Sequence, residues 1–293
     1  MSIKMENNKH LQKFGGSWTE EKLNMFTEYL DAYLIALQNM KFKKLYIDAF
    51  AGTGEIETRD GDHQLIGSAK RALSSKKQFD RYCFIEADKD KVEELQRMVD
   101  REFPSLKSIV NVYQGDANEM LINIINSVDW RYNRALLFLD PFATSVDWST
   151  LVNVALTKSI DVWYLFPFEA LNRMLPRDGE ILPAVEKTIN RILGDESWKT
   201  EFYKKDMQMN LFDYFNGDKS ERFIKSADTE AIKEYIIMRL KSIFPCVSEN
   251  AKIFRNSKNA PMFLFCFAVS NDSIKAQKLA MHIANHILKK SRK

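Results

Sequence analysis

The sequence has few residues of the kinds that build metal centres and disulfide frameworks. Its 293 residues include three cysteines and four histidines. The cysteines, Cys83, Cys246 and Cys266, lie far apart, and two of them fall inside apolar runs. This usage predicts reduced thiols in a cytoplasmic protein and encodes neither a zinc nor an iron–sulfur site. His282 and His286 are four residues apart, but no third ligand accompanies them in the sequence, so they do not predict a metal site.

Long apolar runs and a strong charge imbalance are also missing. No stretch approaches the roughly 18 apolar residues that a membrane span needs, and the first twenty residues contain no apolar segment of signal-peptide length. The net charge of +3, from 43 basic and 40 acidic residues, predicts no global attraction to nucleic acid. Hydrophobic residues make up 45% of the chain, which permits a sizeable core. We therefore expect a soluble protein in which any basic surface is local.

Glycine is scarce as well, with ten in the chain, and two of the ten follow the apolar run 45–50. That run has the length and composition of a buried parallel strand, and Asp48 is its only charge. Gly52 and Gly54 form a turn after it that lets a ligand approach the backbone at the carboxyl end of the strand. The third glycine of the dinucleotide fingerprint and the lysine of the phosphate loop are absent, which disfavours a nucleotide-phosphate site.

The spacing Asp48-x-x-x-Gly52-x-Gly54 resembles the first motif of class I S-adenosylmethionine-dependent methyltransferases. The resemblance implies that S-adenosyl-L-methionine is the cofactor and that Asp48 holds its methionine amino group, directly or through water. Phe50, Gly52 and Gly54 would then lie against the cofactor and allow close approach of the backbone. A tight strand-to-loop turn without a ligand is the alternative interpretation.

Two further predicted strands end in acidic residues. The second strand, 79–85, is followed by Glu86, at the position where Rossmann-like folds bind the ribose hydroxyls of a nucleoside. The third, 109–113, leads to Asp116 and Ala117, which we expect beside the adenine of the cofactor. Each acid has a structural alternative, a solvated strand end for Glu86 and a helix cap for Asp116.

The fourth predicted strand, 135–139, ends in Asp140, Pro141 and Phe142. We expect Asp140 to face the ligand crevice and Phe142 to offer a stacking surface to a planar substrate. This ending resembles the Asp-Pro-Pro-Tyr motif of the amino-methyltransferases that act on nucleic-acid bases, with one proline fewer and phenylalanine in place of tyrosine. The resemblance implies that the three residues are catalytic, holding an exocyclic amine and stacking on a base taken out of its stack.

The segments around these strands predict an α/β fold of the Rossmann-like class I methyltransferase type. A fifth strand is expected at 162–168, and a hairpin of 252–255 with 262–270 closes the mostly parallel sheet with an antiparallel pair. A helix over 17–39 precedes the first strand. The polar segment 55–67 is expected to be an irregular loop that lies over the site as a lid.

Two aromatic residues and one aliphatic residue on the first and last helices are predicted to be buried in the core. Tyr29 and Tyr33 lie at helical spacing and are predicted to be core residues, with lining of the ligand pocket as the alternative. The last helix, 274–290, is predicted to bury Leu279 together with the other apolar residues on its face.

The chain is predicted to divide into three regions. Residues 1–16 are expected to be a flexible segment, and 17–168 with 226–293 to form the methyltransferase-like domain. Residues 169–225 are expected to be a helical insertion in which substrate specificity lies. Its basic residues are accompanied by ten acids from Glu169 to Asp218, so it does not predict a basic patch.

The combination and order of these motifs resemble the three-Cys-motif partner family of prokaryotes. The resemblance begins with Ser17-Trp18-Thr19-x-x-Lys22 and runs from about residue 9 to 170, then more weakly through the closing hairpin. It implies a methyltransferase-like fold and an association with a separate cysteine-motif protein, often in mobile or defence-related settings, and it supplies no established substrate. The family commonly has a glycine directly after Asp-Pro-Phe, where this chain has Ala143.

Our leading hypothesis is a methyltransferase that modifies an amino nitrogen of a nucleic-acid base. Because methyl transfer depends mainly on positioning two reactants, the lack of a histidine or cysteine cluster is no objection. The alternative is a non-catalytic interaction or sensor protein that keeps the fold and works with the three-Cys-motif partner. A nucleotide-binding oxidoreductase is a third hypothesis, which the incomplete glycine fingerprint disfavours.

Overall fold

The computed structural model describes residues 17–57, 64–206 and 222–290. The strands in chain order are β1 (Lys43–Asp48), β2 (Glu55–Glu57), β3 (Gln64–Ile66), β4 (Arg81–Glu86), β5 (Val110–Gln114), β6 (Asn133–Leu139), β7 (Ile160–Phe166), β8 (Tyr203–Lys205), β9 (Phe223–Lys225), β10 (Cys246–Val247), β11 (Lys252–Arg255) and β12 (Pro261–Val269). The helices are α1 (Ser17–Ala36), α2 (Ser68–Leu73), α3 (Lys89–Glu102), α4 (Ala117–Ser127), α5 (Trp148–Leu156), α6 (Phe168–Arg173), α7 (Pro183–Leu193), α8 (Trp198–Phe202), α9 (Thr229–Lys241) and α10 (Ile274–Lys290), with a 3-10 turn at Pro104–Ile109.

The central sheet has eight strands, in the order β10-β12-β7-β6-β1-β4-β5, and β11 also pairs with β12. Strands β1, β4, β5, β6 and β7 are parallel, whereas β12 runs antiparallel to β7. This order confirms the predicted Rossmann-like sheet, mostly parallel and closed by antiparallel strands. Strand β1 lies between β4 and β6, so the connections diverge there and leave a crevice at the carboxyl ends of β1 and β6.

Helices cover both faces of the sheet, which explains why its parallel strands are almost continuously apolar. Helices α1, α2, α3 and α10 pack on one face, where Phe26 of α1 stacks on Phe138 of β6 with ring centroids 4.1 Å apart. Helices α4 to α9 pack on the other face. None of the described helices is both long enough and apolar enough to cross a membrane.

The described parts of the predicted insertion, 169–206 and 222–225, share the core of the main sheet. Ile189 of α7 and Trp198 and Phe202 of α8 are buried in the same apolar cluster as β6 and β7. The segment also contains a strand pair, β8 with β9, that the prediction of a helical insertion did not include. Residues 1–16, predicted to be flexible, lie outside the described residues.

Two sequence-based expectations on this framework were wrong. Segment 55–67 is not wholly irregular, because β2 and β3 lie within it and pair antiparallel. Its tip at 58–63 lies outside the described residues. Leu279 on α10 is 44% exposed rather than buried. The prediction that Tyr29 and Tyr33 are core residues is confirmed, since they are 0% and 6% exposed.

Candidate active site

A cavity of about 160 Å³ opens at the carboxyl ends of β1 and β6. Its walls come from the first turns of α1, the loop after β1, the junction between β3 and α2, and the loop after β6. Six of the predicted site residues line it, namely Phe50, Gly52, Gly54, Asp140, Pro141 and Phe142. The other four, Asp48, Glu86, Asp116 and Ala117, do not.

The loop after β1 has a backbone shape that requires glycine. Gly52 and Gly54 have φ angles of +59° and +84°, a region that side chains with a Cβ rarely occupy. A Cβ on Gly54 would also lie 2.7 Å from Cε of Met98 on α3. The N–H of Gly67 donates to the carbonyl of Gly54 at 2.8 Å, which joins this loop to the start of α2.

Asp48 is fully buried beneath this loop. The hydroxyl of Tyr46 donates to its Oδ2 at 3.0 Å, and the N–H of Phe50 donates to its Oδ1 at 3.3 Å. Burial raises the pKa of Asp48 to about 6, while hydrogen bonds from Ser68, Tyr46 and Phe50 oppose the rise. The carboxylate therefore holds the loop in shape from below and does not itself face the cavity.

Glu86 links the glycine loop to the next strand end. Its Oε2 accepts the N–H of Gly52 at 3.0 Å, and its Oε1 accepts the N–H of Asp88 at 3.0 Å. Each oxygen has a second lone pair for a ligand hydroxyl. Glu86 is partly exposed, as expected for a solvated strand end, but its two hydrogen bonds also tie the glycine loop to the end of β4.

Asp116 and Ala117 lie at the start of α4. Asp116 is the N-cap of that helix, and its Oδ1 accepts the N–H groups of Asn118 and Glu119 at 2.9 and 3.2 Å. The helix-cap alternative foreseen from the sequence is therefore present. Ala117 is 6% exposed and packs in the sheet core, which leaves only its backbone to contact a ligand.

Asp140 forms an ion pair that sequence analysis did not anticipate. Nζ of Lys22, on α1, donates to its Oδ2. The Lys22 side chain is 3% exposed and the Asp140 side chain 27%. Lys22 also lies 5.4 Å from the ring centroid of Trp18, which stacks obliquely on Phe263 at 4.9 Å. The pair fixes one carboxylate oxygen, Oδ2, and leaves Oδ1 without that contact.

The loop after β6 is held from two sides. Phe142 is 48% exposed, and Nζ of Lys91 lies 5.6 Å from its ring centroid. Arg191 of α7 donates to the carbonyl of Thr144 at 2.8 Å and forms an ion pair with Asp147. Helix α7 thus braces the segment that carries Asp140 to Phe142.

Thr19 is a second cavity residue that is not among the predicted site residues. It is 2% exposed, lines the cavity, and its Oγ1 has no hydrogen-bond partner among the described residues. Lys22 follows Trp18 by four residues and Thr19 by three, so each of the two is its neighbour on the helix surface. That spacing is visible in the sequence, but the partner of Lys22 lies 118 residues away, so no local signal identifies it.

Comparisons with known proteins give structural similarities alone. No family model matches the chain, and no curated protein matches it. A Legionella pneumophila protein described by the family model DUF519 has 9% identity and a TM-score of 0.47, over 91% of this chain and 92% of that one. An O-methyltransferase from Bacillus cereus, solved with S-adenosylhomocysteine, has 14% identity and a TM-score of 0.40, over 87% and 82%.

A third similar structure is the methyltransferase domain of the bacterial protein CtHen1-C. It has 12% identity and a TM-score of 0.37, over 84% of this chain and 99% of that domain. At these identities and TM-scores the similarities carry no argument about function. The class I methyltransferase-like fold rests on the strand order and on the antiparallel strands that close the sheet.

Proposed function

We propose that this protein is an S-adenosylmethionine-dependent methyltransferase that modifies an amino nitrogen of a nucleic-acid base. One observation carries the proposal: the glycine loop after β1 and Asp140-Pro141-Phe142 after β6 line one cavity at the switch point of the sheet. Ligands of open α/β sheets bind at that point. The buried hydroxyl of Thr19, without a partner among the described residues, supplies the wall with a hydrogen-bonding group for a ligand.

The cavity is smaller than the roughly 300–1,000 Å³ of typical small-molecule sites. We therefore assign only the methionine end of the cofactor to it, against Gly52 and Gly54. The nucleoside end would extend toward Glu86 and Asp116, at the ends of β4 and β5. Asp48 would act through the loop that it supports.

When bound, S-adenosylmethionine supplies an electrophilic methyl group. The chain contributes position and desolvation for the acceptor. Asp140 accepts a hydrogen bond from the acceptor amine through the oxygen that Lys22 does not hold, and Phe142 stacks on the base that carries the amine. Lys22 fixes the orientation of Asp140, because its ammonium group is nearly buried against that carboxylate.

The test combines calorimetry with a methyl-transfer assay. We expect the wild type to bind S-adenosylmethionine and S-adenosylhomocysteine but not NAD, and Glu86→Gln to bind both about tenfold more weakly. Radiolabelled methyl transfer to mixed DNA and RNA pools should fall at least about a hundredfold in Asp140→Asn, with S-adenosylhomocysteine affinity within a few-fold of wild type. Retained turnover in Asp140→Asn would contradict the role of Asp140.

A matched control is available at the other end of the same strand. Asp129 precedes β6 and pairs with Arg131 on the surface, away from the cavity. Asp129→Asn removes the same charge and should leave both cofactor binding and methyl transfer unchanged. A loss in both variants would indicate a general effect of charge rather than an acceptor site.

One observation favours a second candidate function. The ion pair with Lys22 engages the acid expected to receive the acceptor, as in a site that binds the cofactor without turnover. On that account the protein is a sensor or scaffold for a three-Cys-motif protein partner, which the order of the sequence motifs also supports. Cofactor binding without methylation of any DNA or RNA, together with co-purification of such a partner, would establish it over the enzyme.

A further inference from the structure

A second cavity lies at the opposite end of the sheet from the candidate active site. It is enclosed by α1, α10 and the amino-terminal ends of β6 and β7, and its volume is about 330 Å³. That volume falls within the roughly 300–1,000 Å³ range of small-molecule sites. The residues of the glycine loop and of Asp140-Pro141-Phe142 do not contribute to it.

One wall of this cavity carries a carboxylate with few hydrogen bonds among the described residues. Asp161 of β7 receives one hydrogen bond within the described ranges, from the hydroxyl of Tyr29 to Oδ2 at 3.3 Å. An ionised carboxylate can accept about four hydrogen bonds. Burial raises the pKa of Asp161 to about 7, against the lowering effect of the Tyr29 hydrogen bond and the charge of Arg134.

The charged and titratable groups around Asp161 do not neutralise it by direct contact. Nη1 of Arg134 donates to the carbonyls of Trp130 and Asn133, and its guanidinium lies 4.5 Å from the Phe42 ring centroid. The groups on the other elements packed around it are Tyr33 on α1, Lys275 on α10 and Cys246 on β10. In the described part of the chain, none of these three forms an ion pair or hydrogen bond with Asp161.

Apart from the polar side chains of Ser159, Asn271, Ser273 and Lys275, the remaining walls are apolar and partly open to solvent. Met40 and Leu279 are 46% and 44% exposed, and Phe42 and Ile283 complete the surface around them. Apolar surface of this kind next to a carboxylate with one hydrogen bond matches a molecule with a hydrophobic body and a cationic end.

We propose that the cavity between α1 and α10 binds a small amphipathic amine, with its ammonium group at Asp161 and its apolar body against Phe42 and Leu279. The ammonium group donates to the carboxylate beside the Tyr29 hydroxyl, and the body covers apolar surface that is otherwise exposed. This proposal is independent of the proposed methyl transfer, because the two cavities share no lining residue.

The test uses tryptamine as the probe and tryptophol, in which a hydroxyl replaces the amine, as its neutral control. By calorimetry at about pH 8, tryptamine should bind the wild type at least about tenfold more tightly than it binds Asp161→Asn. Tryptophol should bind both proteins alike. Equal tryptamine affinities in the two proteins, or no binding at about 10 mM in the wild type, would overturn the proposal.

Proton release supplies a second readout that a merely structural change would not move. A bound cation favours ionised Asp161, so binding at about pH 6 should release about one proton per tryptamine, and binding at about pH 8.5 almost none. Titrations in two buffers of different ionisation enthalpy measure that number. Asp161→Asn should release no proton, and release unchanged in this variant would assign the proton to another group.

A second variant guards against misfolding of the first. Leu279 is exposed, so Leu279→Lys is expected to leave the thermal unfolding midpoint within a few degrees of wild type. It places a positive charge at the cavity mouth and should weaken tryptamine binding about tenfold while weakening tryptophol binding less. Unchanged tryptamine binding in Leu279→Lys would exclude this cavity as the site.

Discussion

Thr19 carries a hydroxyl group that is buried at the wall of the active-site cavity without a hydrogen-bond partner among the described residues. Leaving such a group unpaired costs about 1–3 kcal/mol. A position that keeps this cost is consistent with selection for contact with a ligand rather than for stability. Substituting Thr19 therefore allows an effect on ligand binding to be distinguished from an effect on stability.

Replacing Thr19 with valine keeps the shape of the side chain and removes the unpaired hydroxyl. We expect Thr19→Val to raise the free energy of unfolding by about 1 kcal/mol and to raise the KM for the methyl acceptor several-fold, with S-adenosylhomocysteine affinity unchanged. Urea unfolding and steady-state kinetics measure the two effects. Ser75 offers a matched control, because its buried Oγ also lacks a partner among the described residues but does not line the cavity. Ser75→Ala should change stability alone.

Ala143 occupies a backbone conformation that favours glycine. Its φ angle is +46°, directly after Asp140-Pro141-Phe142. The left-handed region costs a residue with a Cβ roughly 1–2 kcal/mol, so Ala143→Gly should raise the free energy of unfolding by up to about 1 kcal/mol. Ala231→Gly, at an exposed position in α9, should lower it instead. If urea unfolding shows that Ala143→Gly is less stable than the wild type, the backbone conformation of Ala143 does not cost the protein stability.

At the scale of elements, the Lys22–Asp140 pair ties α1 to the loop after β6. Asp140→Ala would leave a nearly buried ammonium group without its partner and should cost about 2–4 kcal/mol of unfolding free energy. Adding Lys22→Met should recover part of that loss, giving a coupling energy of about 1–3 kcal/mol in a double-mutant cycle. The exposed Arg131–Asp129 pair is the control, with a coupling below about 1 kcal/mol. Equal couplings would mean that burial does not strengthen the first pair.

The elements that the sequence predicts well are those with a long, regular pattern. The apolar runs at β1, β4, β6 and β7 specify buried parallel strands, and their acidic or glycine-bearing ends therefore identify the correct edge of the sheet. The three-residue strands β2, β3, β8 and β9 are too short to show an alternation and were not predicted.

What sequence reasoning could not supply is pairing over distance. Nothing near Lys22 indicates that its ammonium group meets Asp140. Asp48 looks like a ligand-facing acid because it ends a strand before a glycine turn, yet it is fully buried beneath that turn. Leu279 has helical spacing typical of a core residue, but it is 44% exposed beside the second cavity, and the spacing alone does not reveal that.

At the scale of the whole molecule, two acids with raised pKa values, the buried Asp48 and the partly buried Asp161, make stability depend on pH. Burial raises the pKa of Asp48 to about 6 and that of Asp161 to about 7, from 3.8. Between about pH 4 and pH 7 the folded protein keeps protons that the unfolded chain releases, so the free energy of unfolding should fall as pH rises. The total fall should be on the order of a few kcal/mol, with a plateau above about pH 8.

Urea unfolding at a series of pH values measures this slope. Asp161→Asn has no proton to lose at this position and should show a smaller fall, above all near pH 7. Carboxyl groups whose pKa ion pairs lower, such as Glu102 beside Lys70 and Arg101, lose their contribution below about pH 4.5 and do not affect this window. A free energy of unfolding that rises from pH 5 to 7 would contradict the raised pKa values of the two acids.

Helix α1 is a wall of both cavities. It contributes Thr19 and Lys22 to one cavity and Tyr29 and Tyr33 to the other. Lys22 and Tyr29 are seven positions apart, which is only about 10 Å along the helix axis. The same helix therefore lines both proposed ligand sites. By thermodynamic linkage, the factor by which tryptamine changes the affinity for S-adenosylhomocysteine must equal the factor for the reverse effect. That ratio measures the coupling between ligand binding at the two ends of the sheet, which α1, a helix of 20 residues, connects.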